Sequence, residues 1–213
     1  MLELAQIEKN KQEFINLLQS LKEAMAGEHF DIDGLVAYLE SSDFFYAPAT
    51  TKYYYAYAGG LCAYSLAVYN NLKRLLETFA DSEYNDATIK IIGLLHSLNK
   101  INYYEKYIAN EKVYSNIGTK HDNLGYFDWV SKEKYKVKDS NNRLTYGSKD
   151  LDLYIIIKRY IPLLDTETLA LTNQSFWFNE GKAIENNLNA LSKEPLITYL
   201  HTAMMLTAYG SKE

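Results

Sequence analysis

Residues 89–98 read IKIIGLLHSL, a run that is apolar on almost every side. A helix that is hydrophobic all round has to be enclosed by other elements. This segment therefore marks the centre of a core, with Asn85 or Asp86 placed to cap its first turn. Toward the amino terminus, Leu61, Ser65, Val68, Leu72, Leu75, Leu76 and Phe79 recur at helical spacing and predict a long, largely buried helix from about Gly60. Before it, Asp43 to Lys52, which contains Pro48, reads as a loop. The opening segment sets Leu4, Ile7, Phe14, Leu17, Leu18 and Leu21 near helical spacing, an amphipathic helix that Gly27 breaks. Asp31 or Asp33 can cap a short second helix through Leu35 and Leu39.

Toward the carboxyl terminus the periodicity fails between Asn102 and Arg143, where charged, Asn and Gly residues dominate. The expectation there is loop, with a short hairpin around Tyr135 and Val137, long enough to act as a lid. Helical spacing resumes from Ser148 through Ile157 and stops before Pro162. A shorter helix capped by Thr166 follows, then a loop around Gly181, a helix near Ile184 to Leu191, and a last helix from Pro195 to Gly210. No internal repeat, low-complexity tract or coiled-coil heptad interrupts this pattern. The fold class expected is all-α: one helical domain over 1–213, with amino-terminal helices in 1–45, a bundle core over 50–210, and an irregular segment or short hairpin around 103–143.

Composition narrows the functional classes. A chain of 213 residues, 47% hydrophobic and with three prolines, can bury one sizeable core. No stretch approaches the roughly 18 uninterrupted apolar residues of a membrane span, and MLELAQIEKNKQEF lacks the basic flank and apolar block of a signal peptide. The lone Cys62 excludes an internal disulfide and fits a reducing compartment, so the expected location is cytoplasmic. A net charge of −5 argues against extended nucleic acid as a partner but leaves a small anionic ligand open. The 20 tyrosines exceed the 8 phenylalanines and 2 tryptophans. Such an excess fits pocket walls or interfaces, a homodimer included, that are half apolar and half hydrogen-bonding; codon drift in an AT-rich genome is the bland alternative.

Four segments in order carry a family resemblance. GGLCAYSLAVYNNL at 59–72 resembles the "GGL-x-E-H-S" helix of small HD-domain phosphohydrolases, and IIGLLHSLNKINYY at 91–104 resembles their "LLHDL-x-K-x-N-F-Y" segment. LTYGSKDLDLYIIIKRYIPL at 144–163 is similar to the "L-G-H-G-E-K-S" helix, and PLITYLHTAMML at 195–206 to the terminal "P-L-x-x-x-L-H-x-A-D-M-L". In active members of that family, histidines and aspartates hold divalent metals that activate water against a phosphoryl group. On this resemblance the expected histidines fall on Tyr54, Tyr64, Tyr146 and Gln174, the aspartates on Ser97 and Met204, and only His96 survives. A neutral phenol, a hydroxyl, an amide and a thioether are poor donors to a hard divalent ion.

The resemblance therefore implies no metal, no cofactor, no catalytic residue and no enzymatic activity, in a pocket rebuilt with tyrosines. It further implies that Lys100 and Lys149 lie near a substrate phosphate, with Asn102, Tyr103, Gln174 and Trp177 adding hydrogen bonds and stacking faces. The implied function is capture of a phosphorylated, nucleotide-derived small molecule, such as a cyclic or ADP-ribose-type signal, by a phage-type protein that keeps it from a host immune receptor. Two alternatives stand beside it: a protein-interaction module with no ligand, and a residual phosphodiesterase using His96. Each residue also has a plainer reading: His96 as a hydrogen-bonded core histidine, the lysines as surface charges, and Trp177 as a core or lid-packing residue.

Overall fold

The computed structural model describes residues 3–24, 30–80, 84–143, 148–174 and 182–210. Its elements run α1 (Leu4–Gln19), α2 (Leu21–Ala24), α3 (Ile32–Ser41), α4 (Gly60–Phe79), α5 (Asp86–Leu95), β1 (Tyr104–Tyr114), β2 (Lys120–Asp122), β3 (Gly125–Val137), α6 (Lys149–Lys158), α7 (Asp165–Asn173), α8 (Lys182–Lys193) and α9 (Leu196–Tyr209). Short 3-10 turns occupy Leu98–Lys100 and Ser140–Asn142.

The helix starts follow local capping chemistry. Asp31 accepts from the Gly34 amide at the head of α3, Asn85 from the Thr88 amide at the head of α5, and Ser148 from the Leu151 amide at the head of α6. Thr166 does not cap α7 as expected. There the Glu167 carboxylate reaches back to the Leu164 amide at 2.9 Å, while its other oxygen accepts from the Thr88 hydroxyl at 2.8 Å, which ties the start of α5 to α7.

The all-α expectation is overturned, because the protein is mixed α/β. Residues 104–137 form a three-stranded antiparallel sheet in the order β1-β3-β2. The register pairs Tyr104 with Val137 and Tyr114 with Phe127, so the two long strands run side by side over the whole of β1. Helical periodicity failed in this segment because it is strand. Strand periodicity was hidden too, because water reaches both faces and Lys–Glu pairs take the place of an apolar stripe. Glu105 pairs with Lys136 at 2.9 Å, Lys106 with Glu133 at 2.7 Å, and Glu111 with Lys132 at 3.2 Å and with Lys134. Exposed pairs of this kind contribute little stability singly but fix cross-strand register. Beyond its root the sheet packs mainly on itself, so it is a projecting arm and not the loop lid expected from sequence.

The core lies among the helices. Along α5, Ile91, Ile92, Leu94 and Leu95 are fully enclosed, with α4 on one side and α7 on another. α4 presses in turn on α9 and α1. The amino-terminal helices, which no family block anchors, join the same core through a cluster of Phe14, Phe44 and Phe45 with ring centroids 4.9–6.0 Å apart. Among the described residues no helix is long and apolar enough to cross a membrane.

The α4–α5 contact is set by Gly93. A β-carbon there would lie 2.9 Å from the Tyr69 α-carbon and 3.1 Å from its β-carbon. Alanine would gain about 1 kcal/mol of helix propensity, but overpacking against backbone costs about 1–3 kcal/mol. Gly93→Ala is therefore expected to lower the melting temperature by several degrees, at about 2–4 °C per kcal/mol for a chain of this size, in thermal unfolding followed by circular dichroism.

Candidate functional site

The site forms where the carboxyl end of α5 meets α4 and the loop that precedes α4. That loop is pinned by backbone bonds from Leu61 to Ala47, from Ala49 to Tyr55 and from Gly59 to Tyr46. Gly60 permits the approach, because a β-carbon there would stand 2.1 Å from the Tyr55 carbonyl oxygen. Tyr55 itself sits at φ +47°, a region that bulky side chains seldom occupy, and this aims Tyr54 and Tyr55 at the start of α4.

Tyr64 is fully buried on α4, with Tyr54 at 5.2 Å, Tyr55 at 5.5 Å and His96 at 5.4 Å between ring centroids. Tyr209 of α9 closes on Tyr54 edge-on at 5.7 Å. Burial raises the phenol pKa of Tyr64 well above its usual value and raises that of Tyr54 as well, so both stay neutral at pH 7.

His96 is buried, with Nδ1 hydrogen-bonded to the Gly93 carbonyl at 2.9 Å. That bond fixes the neutral tautomer with its proton on Nδ1 and leaves Nε2 as an acceptor without a partner among the described residues. The His96 carbonyl accepts from Gln174 Nε2 at 2.9 Å, and the backbone carbonyl of Gln174 is within 3.0 Å of His201 Nδ1, so α5, α7 and α9 are joined through this one residue, by its side chain on one side and its backbone on the other. Ser97 shares a 2.7 Å hydrogen bond with Ser65 of α4, two neutral hydroxyls that satisfy each other in the core. The groups closest to His96 are thus a phenol, an amide and a hydroxyl, a set too weakly basic and too neutral to suit a hard divalent cation. Among the described residues no three His, Cys, Asp or Glu side chains are grouped to hold a metal.

Lys100 supplies the positive charge. Its Nζ donates to the Ala49 carbonyl at 3.0 Å, beside the Tyr104 hydroxyl, which donates to the same oxygen at 3.0 Å. It lies 5.2 Å from the Tyr64 ring centroid and 5.9 Å from that of Tyr54. Burial, reinforced by the charge of Lys149, brings its pKa down to about 8. Lys149 and Arg143 both stand over Tyr103, at 5.2 and 4.9 Å from its centroid, and Tyr103 packs edge-on to Tyr104 at 5.1 Å. Among the described residues no carboxylate comes within 4.0 Å of Lys100 or Lys149. Asp150 is near enough for the charge of Lys149 to oppose the rise that burial gives its carboxyl pKa, but among the described residues it forms no ion pair there, which leaves the corner cationic in a chain of net charge −5.

Tyr54, Tyr64, His96, Ser97, Lys100 and Gln174 therefore converge, with Tyr103 and Lys149 adjoining them. Asn102 does not join them: its side chain is exposed, it occupies a turn at φ +54°, and its amide donates to Asp43 Oδ1 at 2.7 Å. Met204, in the late aspartate position, is half-buried against the helical core. Tyr146 and Trp177 lie outside the described residues. Sequence reasoning missed Tyr55, Ser65, Tyr104 and Tyr209. The paired Tyr103-Tyr104 was a usable signal for Tyr104, whereas Tyr209 could not be placed without knowing that α9 crosses α4. No family model matches the chain, and no curated protein or solved structure matches it either.

The imidazole gives a pH signature. Burial depresses the His96 pKa from 6.5 to about 3, with a lesser contribution from Lys100, against the opposing bond to Gly93. The unfolded chain takes up this proton near pH 6.5 and the folded one does not. The contribution to stability is complete above pH 6.5 and is lost as pH falls toward 3, at about 1.4 kcal/mol per pH unit. Urea unfolding at pH 6.5 and pH 4.5 should show that loss in the native protein, and His96→Asn should remove most of it. Equal slopes in the two proteins would mean that His96 is not held neutral.

Proposed function

We propose that this chain is a metal-free relative of HD-domain proteins that holds a phosphorylated, nucleotide-derived small molecule without cleaving it. The observation that carries this reading is the cationic corner formed by Lys100, Lys149 and Arg143 around tyrosine rings, with neither lysine in an ion pair among the described residues. Phosphate oxygens would supply the missing counter-charge, and phenol rings would supply flat faces and hydroxyls to the rest of the ligand. The meeting of Tyr64, His96, Ser97 and Gln174, drawn from separate segments, supports a pocket inherited from the family pattern. The enclosure of His96, whose Nδ1 is committed to Gly93, weighs against its serving as an acid or base. Sequestration of a signalling nucleotide is the purpose that fits a site built to bind and not to turn over.

A second reading rests on the projecting sheet, where Ile117, Leu124, Tyr126 and Trp129 are exposed near its tip. Exposed apolar side chains clustered in this way commonly mark a protein interface, including one between two copies of the chain. Light scattering across a concentration series should then show dimers that Trp129→Ser with Tyr126→Ser converts to monomers. Monomers of the native chain at high concentration would remove the self-association form of this reading.

For the leading reading, calorimetric titration with a panel of nucleotides is the direct test. Lys100→Ala should weaken binding by about 1–3 kcal/mol and the more exposed Lys149→Ala by about 1 kcal/mol, with little change in melting temperature. The free Lys100 amine loses its proton above about pH 8. Above pH 7, where a terminal phosphate is already doubly ionised, affinity should therefore be constant to about pH 7.5 and fall by up to tenfold per unit above pH 8. Unchanged affinity in both variants, with a flat pH profile, would overturn the anion assignment.

A further inference from the structure

Beside the cationic corner lies a cavity of about 480 Å³ walled by Tyr53, Tyr54, Tyr55, Tyr57, Thr207 and Ala208. Tyr54 belongs to both: it lines the cavity, and its ring centroid stands 5.9 Å from Lys100 Nζ. The cavity is held open by the backbone. Tyr55 is kept at positive φ by the Ala49 amide on its carbonyl, and the bare α-carbon of Gly60 leaves room for that carbonyl. Strain of this kind in a bulky residue, maintained by fixed partners, is characteristic of binding loops. Tyr55 and Tyr57 pack at 5.9 Å, so two of the walling rings brace each other. The Thr207 hydroxyl already donates to the Ala203 carbonyl at 2.7 Å and accepts from Asn71 at 2.9 Å, which fixes that side.

We propose that this cavity seats the ring end of one nucleoside unit whose phosphate lies against Lys100. The inference rests on the anion-binding reading above and adds the place and size of the ligand's uncharged part. Ligand pockets span about 300–1000 Å³; a cavity near the lower end takes a single base and sugar and not a dinucleotide. Phenol rings recognise the base by stacking, which tolerates any base, so selection is for a planar ring and not for one sequence letter.

The test is calorimetric titration with uridine 5′-monophosphate, adenosine 5′-monophosphate and ribose 5-phosphate. Both nucleotides should bind at least tenfold more tightly than ribose 5-phosphate. Ala208→Trp, which fills the cavity from α9, should bring them down to the ribose 5-phosphate level and leave ribose 5-phosphate itself unaffected. Tyr57→Ala, which removes a wall at a half-exposed position, should weaken the nucleotides selectively in the same way and serves if the first variant does not fold. Nucleotides that bind no more tightly than ribose 5-phosphate, or that are insensitive to these substitutions, would overturn the cavity assignment while leaving the anion site standing. No binding by any of the three would overturn both.

Discussion

The enclosure of α5 constrains everything around it. A helix apolar on every side leaves no face to water, so the groups at its carboxyl end must be satisfied by other elements or stay neutral. His96 meets this by turning Nδ1 back to the Gly93 carbonyl, its own carbonyl by taking the Gln174 amide, and Ser97 by pairing with Ser65. None of these groups carries a charge at neutral pH. The last two of these bonds also position α7 and α4 against α5, so the same requirement that stabilises the core decides which side chains surround the site.

Charge enters this neutral setting through Lys100. Desolvating an ammonium costs free energy, and the lowered pKa records that cost. The Ala49 carbonyl and the faces of Tyr54 and Tyr64 offset part of it, since a cation over an aromatic ring gains about 0.5–2 kcal/mol depending on desolvation. The remainder is a deficit of negative charge that Lys149 and Arg143 enlarge. The tyrosine excess thus has a physical use at this site: phenols accommodate a buried cation without neutralising it, whereas aspartate would cancel the charge and histidine would compete for the proton.

The sheet arm shows where pattern reading fails. β1 and β3 have solvent on both faces over most of their length, so apart from the short stretch around Tyr135 and Val137 their Lys and Glu residues do not alternate with an apolar set. Their stability comes from cross-strand pairs such as Glu105–Lys136, which join residues 31 positions apart and are invisible to any local window. A segment of charged and small residues looks irregular in sequence for the same reason that it can stand away from the core in the structure: it needs little apolar burial to hold its register.

The sequence by itself determined the helices and the order in which they occur. The apolar run at 89–98, the helical spacing from Leu61 to Phe79, the cap candidates at Asp31 or Asp33 and Asn85 or Asp86, and the Pro195 and Gly210 limits of the last helix are local properties, governed by side-chain periodicity and the hydrogen bonds of one turn. It also singled out Tyr54, Tyr64, His96 and Lys100, which the fold brings together, and Lys149, which adjoins them. Only the tertiary structure decided that pairing extends beyond the expected short hairpin around Tyr135 and Val137 to a three-stranded sheet over 104–137, that Thr166 yields its cap to Glu167, that Asn102 turns outward, and that Tyr104 and Tyr209 join the site. Each of those outcomes depends on a partner far away in the chain, and the free energy of such a contact is fixed by packing geometry that no stretch of sequence contains.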